Sequence, residues 1–206
     1  MRGMRRTLSR SLLALAAASL LGAGCTKHGT SIEFKPERLE RESHWIGVSS
    51  IPLVRQTTRS NCGAAALAML LGFWGHPMTL AEVAGGMPTS FETDALKAGD
   101  LRDFARKQGL QAFLVTGEIA DLEKQLRKKH PVLVGVLKPG RGKRRLSHYE
   151  LVVGFDPAAQ RVVLLDPAAG WREDSVAGFM AEWEPAGRLS LIAFPAEPSP
   201  AAPAVE

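Results

Sequence analysis

Hydrophobic positions in this 206-residue chain fall into three regimes. Leu12 to Leu21 is a short, nearly unbroken apolar run, and residues 26 to about 48 are polar and irregular. From Ile51 onward the spacing becomes periodic. Ile51-Pro52-Leu53-Val54 reads as a short extended entry. A helix is predicted from about Asn61 to Trp74, with Leu67, Leu70, Leu71 and Trp74 at helical spacing and Gly72 and Gly75 weakening its end. A second short helix follows over about Thr79 to Ala84, then a loop from Gly85 to Gly99. A third helix covers about Asp100 to Gln108 and is closed by Gly109; Gln111 to Val115 reads as a strand, and Ile119 to Lys129 as a charged helix.

The second half changes character. Val132 to Leu137, His148 to Phe155, Val162 to Leu165 and Leu189 to Phe194 are β-rich runs separated by turn residues, with a helix predicted over Val176 to Trp183. Helices first and strands second predict an α+β fold, with N-terminal helices packed on a C-terminal antiparallel sheet. No internal repeat and no Gly-rich phosphate loop interrupts it. One domain over residues 50–194 is expected. The Pro/Ala-rich stretch 195–206 is expected to be a disordered tail.

The ends change the charge argument. Arg2, Arg5, Arg6 and Arg10 precede the apolar run, and small residues lead from it to Cys25 in Leu21-Gly22-Ala23-Gly24-Cys25. The run is too short for a stable span and has the flanks of an export signal over residues 1–24. The junction resembles the lipobox of bacterial lipoproteins, which implies lipidation at Cys25, a membrane anchor facing the periplasm or cell exterior, and a polar tether over residues 25–49. An ordinary cleaved signal with an incidental cysteine is the alternative. The chain holds 26 basic and 21 acidic residues; four arginines and no acids lie before Cys25, which leaves 22 against 21. A nearly neutral remainder removes the main support for a nucleic-acid partner. The basic cluster Arg141 to Arg145, beside Gly140 and Gly142, reads as a solvated hairpin tip, with substrate or headgroup contact as the other option.

Candidate chemistry centres on Cys62, the one cysteine left if Cys25 is lipidated. It stands where the polar loop Gln56 to Asn61 turns into the first helix, and a helix N-terminus favours the thiolate. That bias is worth about 0.3–2 kcal/mol, too little to make the anion dominant. An imidazolium partner is required. His148, at the head of a strand, is the best of five histidines: His28 and His44 lie in the tether, His76 follows a helix end, and His130 ends a charged helix. Asp166 closes the next strand, so antiparallel pairing would bring it to the imidazole Nδ1. Gln56 and the backbone N–H of Cys62 would supply an oxyanion site. Each residue alone has a plainer reading: a packed cysteine, a structural histidine, an Asp-Pro turn, a solvated glutamine. Their order and settings together carry the case. Glu150 shares a strand face with His148; a solvated edge position is the plainer reading, and binding a substrate amine or perturbing the histidine is the alternative.

The pattern Gln56-x5-Cys62-Gly63-x3-Leu67-x-Met69, then His148-Tyr149 with Val152-Val153-x-Phe155-Asp156, then Asp166-Pro167-x2-Gly170, resembles the bacteriocin-processing, double-glycine cysteine peptidases of the papain-like clan. The resemblance spans residues 50–194. It implies a papain-like fold, Cys62 as nucleophile, His148 as base, Asp166 as its orienter, Gln56 in the oxyanion hole, a peptide or protein substrate, and no cofactor or metal. Phe179 and Trp183 would match an apolar helix late in that fold. Members of that family often sit ahead of an exporter and cut leaders after Gly-Gly; a signal pointing outward leaves that specificity open here. Acyl or amide transfer through the same thioester is the nearest rival. A peptide-binding module of the same fold is the second, and zinc held by Cys62 and His148 is a weak third, since no close ligand pair exists.

Overall fold

The computed structural model describes residues 30–88 and 97–196. The expected export signal, Cys25, the middle of the Gly85–Gly99 loop and most of the C-terminal tail lie outside the described residues. Element order is β1 (Ile32–Glu33), α1 (Arg38–Arg41), β2 (Ile46–Gly47), α2 (Cys62–Phe73), α3 (Leu80–Gly85), α4 (Ala98–Lys107), β3 (Leu110–Thr116), α5 (Ile119–Arg127), β4 (Val132–Pro139), β5 (Arg145–Asp156), β6 (Arg161–Asp166), β7 (Gly170–Ser175), α6 (Val176–Trp183) and β8 (Leu189–Pro195). The fold is α+β, with one antiparallel sheet ordered β1-β7-β6-β5-β4-β8-β3 and β2 paired to the far end of β5.

Strand alternation divides the core into two layers. Leu133, Tyr149, Leu151, Val153 and Leu165 pack with α2 and α4 on one face. Val132, Val134, Val136, Val152 and Leu164 pack with α5 and α6 on the other, where Phe179 and Trp183 are fully buried. Helix α2 is buried on every side from Cys62 to Leu71, which is why its sequence is small and apolar all round rather than striped. Amphipathic α4 and α5 instead bury Leu101, Phe104 and Ala105, and Leu122 and Leu126.

Residues 30–48 correct the expected tether. Ile32 pairs with Glu173, Ile46 with Phe155, and Phe34, Trp45 and Val48 are buried in the core. Gly47 lies so close to β5 that an added Cβ would sit 2.5 Å from the Val153 carbonyl oxygen. The folded unit therefore begins well before residue 50. The Arg141–Arg145 cluster does form the β4–β5 hairpin tip: the Gly140 N–H donates to the Arg144 carbonyl at 2.8 Å, and Gly142 has φ +63°.

Candidate active site

The approach to Cys62 is locked by local hydrogen bonds. A 3-10 turn, Arg59–Asn61, leads directly into α2. The Asn61 side-chain oxygen accepts from the Thr57 and Thr58 N–H groups, both at 3.2 Å, and its Nδ2 donates to Thr57 Oγ1 at 2.9 Å. Cys62 is thus the first residue of α2, as expected, and is 5% exposed. Gly63 explains the close packing of this helix start: an added Cβ would meet the Tyr149 ring at 3.1 Å.

His148 and Asp166 come together through the β5–β6 register. Leu151 opposes Leu165, so Asp166 stands one step further along beside Glu150, and His148 lies diagonal to it. His148 Nε2 lies 2.8 Å from Asp166 Oδ1. The expected partner nitrogen was Nδ1; the ring instead directs its outer nitrogen at β6, leaving Nδ1, nearer the main chain, for other contacts. The same Asp166 oxygen accepts from the Ala168 and Ala169 N–H groups at 2.7 and 3.3 Å, which fixes the carboxylate in its turn. The Cys62 thiol lies near enough to act on the His148 ring and favours its charged form.

Electrostatics favour a charged imidazole. Burial opposes it, but hydrogen bonds with Asp166 and Cys62, and the charges of Asp166 and Glu150, outweigh burial and push His148 up to about 10. Burial would raise Asp166, yet its bond to His148 and the charges of His148 and Lys138 hold it well below the usual carboxylate range. Burial, followed by the neighbouring Cys62 charge, pushes the Tyr149 phenol up to about 12.

Gln56 is placed by its main chain: its N–H donates to the Pro167 carbonyl at 3.1 Å, tying the loop before Cys62 to the turn after Asp166. Its side-chain Oε1 is buried without a hydrogen-bond partner. The other described histidines lie elsewhere, His44 beside Glu42 and Asp156, His130 stacked on Phe194, and His76 exposed.

Glu150 corrects a second expectation. It is fully buried rather than solvated at an edge, and its carboxylate meets Lys138 Nζ at 3.0 Å. Lys138, from β4, also reaches Glu182 of α6 at 2.8 Å. A buried Lys138 and Glu182 were both missed from the sequence, although each is a charged residue set in an otherwise apolar element. His148, Glu150 and Asp166 also place potential ligand atoms within 4.8 Å of one another. The Lys138 ammonium already supplies a cation to that cluster, since it bonds Glu150 and its charge acts on Asp166.

A thiol, an imidazole and a carboxylate in series form the arrangement used for nucleophilic attack on carbonyl carbon, with the imidazole moving the proton. Comparison with known proteins agrees with that chemistry. The model of the family described as Peptidase_C39 like matches residues 48–191. The chain belongs to the Peptidase_C39 like family. It is a cysteine peptidase in family and a C39, papain-like protein in fold. Among solved structures, a double glycine motif protease from an AMS/PCAT transporter, in complex with its leader peptide, is 24% identical with a TM-score of 0.58 over 73% of this chain and 95% of that one. The peptidase domain of Streptococcus ComA, a bifunctional ABC transporter of a quorum-sensing pathway, is 24% identical, TM-score 0.56, over 70% and 98%. A C39-like peptidase from Bacillus anthracis is 17% identical, TM-score 0.61, over 75% and 99%. No curated protein sequence matches the chain.

Proposed function

We propose that this chain is an exported peptidase that hydrolyses peptide bonds through Cys62, His148 and Asp166, with Gln56 as an oxyanion donor. The reading is supported most by the 2.8 Å His148–Asp166 bond, in a ring whose charged form the nearby Cys62 thiol also favours. Cys62 Sγ attacks the peptide carbonyl carbon, and the oxygen takes the negative charge in the tetrahedral intermediate. His148 gives its proton to the leaving amine as the C–N bond breaks, which leaves a thioester on Cys62. Water then attacks that thioester, His148 takes the water proton, and the carboxylic product leaves as the thiol is regenerated. Asp166 holds the ring orientation throughout and balances the imidazolium. Gln56 is placed beside the turn that holds Asp166 by its main-chain N–H, which donates to the Pro167 carbonyl at 3.1 Å.

Substrates are peptides or proteins met outside the cytoplasm, with the domain tethered by lipid at Cys25. Among the described residues no helix is long and apolar enough to cross a membrane. Cys25→Ala is expected to move the protein from the membrane to the soluble fraction.

The test of the reaction is hydrolysis of a peptide library, read by mass spectrometry. Wild type should cut, and acid quenching should trap an acyl group on Cys62. Cys62→Ala should abolish both. Gln56→Ala should lower kcat by about 10²–10³ with KM little changed. Products joined to an added amine would assign transfer instead of hydrolysis, and binding without turnover would assign a peptide-binding module.

A further inference from the structure

Directly behind the proposed His148–Asp166 pair lies a second, wholly internal set of charges. Glu150 is two residues from His148 on β5 and faces the same side; Lys138 comes from β4 and Glu182 from α6. Glu150 is 0% exposed, Glu182 5% and Lys138 9%. One ammonium thus serves two carboxylates: both oxygens of Glu150 lie 3.0 Å from Lys138 Nζ, while Glu182 reaches it through Oε2 alone and its Oε1 is buried without a hydrogen-bond partner. A buried ionic cluster of this kind gives little net stability compared with an apolar one of the same volume. Its position suggests another use. The carboxylate of Glu150, the imidazole of His148 and the carboxylate of Asp166 lie within 4.8 Å of one another.

We propose that Glu150 is a positioning residue of the peptidase site: its buried carboxylate, clamped by Lys138 under Glu182, holds His148 in its charged, Asp166-bonded form. The inference rests on the reading of His148 as the base. The groups facing the ring are Asp166 from β6, Cys62 from α2 and Glu150 from its own strand, with Lys138 and Glu182 behind Glu150. Asp100 of α4 acts one shell further out, on Tyr149. Substrate has no access to Glu150, because it is fully buried and its carboxylate is engaged by Lys138. Its influence on catalysis therefore runs through the imidazole alone.

The sign follows from the charges. Burial pushes the Glu150 carboxyl up while Lys138 pulls it back, so Glu150 becomes anionic above the ordinary carboxylate range. From there on its negative charge opposes loss of the His148 proton. A unit charge about 5 Å away at an effective dielectric near 20 moves a titration by about two pH units, and Lys138, present with or without the Glu150 charge, leaves that difference unchanged.

The experiment is NMR titration of the His148 ring in wild type and Glu150→Gln, with the bell-shaped pH dependence of kcat/KM measured alongside. Glu150→Gln should lower the His148 midpoint by about two pH units and move the alkaline limb of kcat/KM down with it. Glu150→Asp, which restores the charge one methylene shorter, should recover part of the shift. An unchanged midpoint in folded Glu150→Gln overturns the proposal, since a purely structural Glu150 would alter melting and leave the titration alone. Should Glu150→Gln not fold, wild type still decides: its His148 resonances should carry a second, more acidic inflection as Glu150 ionises, and a single inflection overturns the proposal. Persistent hydrolysis in Cys62→Ala would instead sink the peptidase reading, without bearing on the titration.

Discussion

Replacing Lys138 with Met removes the ammonium shared by Glu150 and Glu182, at 3.0 and 2.8 Å, and leaves two carboxylates in an almost dry interior. Methionine fills nearly the same volume, so the cost is electrostatic rather than a cavity. Removing one side of a buried ion pair typically costs about 3–5 kcal/mol. For a domain of this size that is a fall in Tm of roughly 6–20 °C at pH 7. The deficit should depend on pH in a definite direction. Without Lys138, Glu150 is raised further by burial, and a group raised in the folded state stabilises below its unfolded value and loses that contribution as pH rises through its folded value. Lys138→Met should therefore lose most at pH 7–8 and recover toward wild type near pH 4.5. Combining it with Glu150→Leu and Glu182→Leu should restore stability to wild type or exceed it by about 1–4 kcal/mol. That triple variant should keep the lowered His148 midpoint of Glu150→Gln, so stability and the state of the base separate. The assay is thermal unfolding by circular dichroism from pH 4.5 to 8. A Lys138→Met variant melting within about 2 °C of wild type at every pH would refute the view of this cluster as a desolvated ionic network.

Two further predictions concern the pair and the N-terminal segment. His148 is raised to about 10 from 6.5, so its contribution to stability is complete below pH 6.5 and fades as pH climbs toward 10; Asp166 is lowered from 3.8, so its contribution is present above pH 3.8 and fades as pH falls below that. The melting difference between wild type and His148→Ala should be largest between about pH 4 and 6.5 and shrink on the alkaline side, as read by calorimetry across the range. Gly47→Ala should cost about 1–3 kcal/mol in urea unfolding, because its Cβ would meet backbone atoms of Val153 and Gly154 at 2.5 and 2.9 Å that cannot swing aside; an unchanged midpoint would show that β2 is not seated on β5.

How legible the molecule is from sequence depends on where each element finds its partners. Helices α2 to α6 and strands β3 to β6 and β8 carry their own period of 3.6 or 2, so their presence was readable and only their ends shifted by up to three residues. Strand β7, Gly170–Ser175, was missed because its charges are satisfied by distant residues: Glu173 bonds Arg38 and Arg161, and Asp174 accepts from Thr30. Strands β1 and β2 are two residues each, too short for a period, and only the isolated Phe34, Trp45 and Val48 hinted that the stretch was anchored. The His148–Asp166 meeting was legible from element order, and the place of Cys62 as first residue of α2 from the change of pattern there. The choice of Nε2 over Nδ1 was not, since it depends on a side-chain rotation set by packing. The buried triad was half legible: Glu182 sits between Phe179 and Trp183 in an apolar helix, and Glu150 in a run that continues Leu151-Val152-Val153. A charge in such a place signals a buried partner, although sequence does not say which.

The central claim is that Cys62 is activated by His148. The direct measurement is the rate at which iodoacetamide modifies Cys62 at pH 6, where an ordinary thiol is almost fully protonated, in wild type and in His148→Ala. The account predicts labelling of wild type at least tenfold faster than of folded His148→Ala. Equal rates in the two proteins, both no faster than a simple thiol, would contradict it.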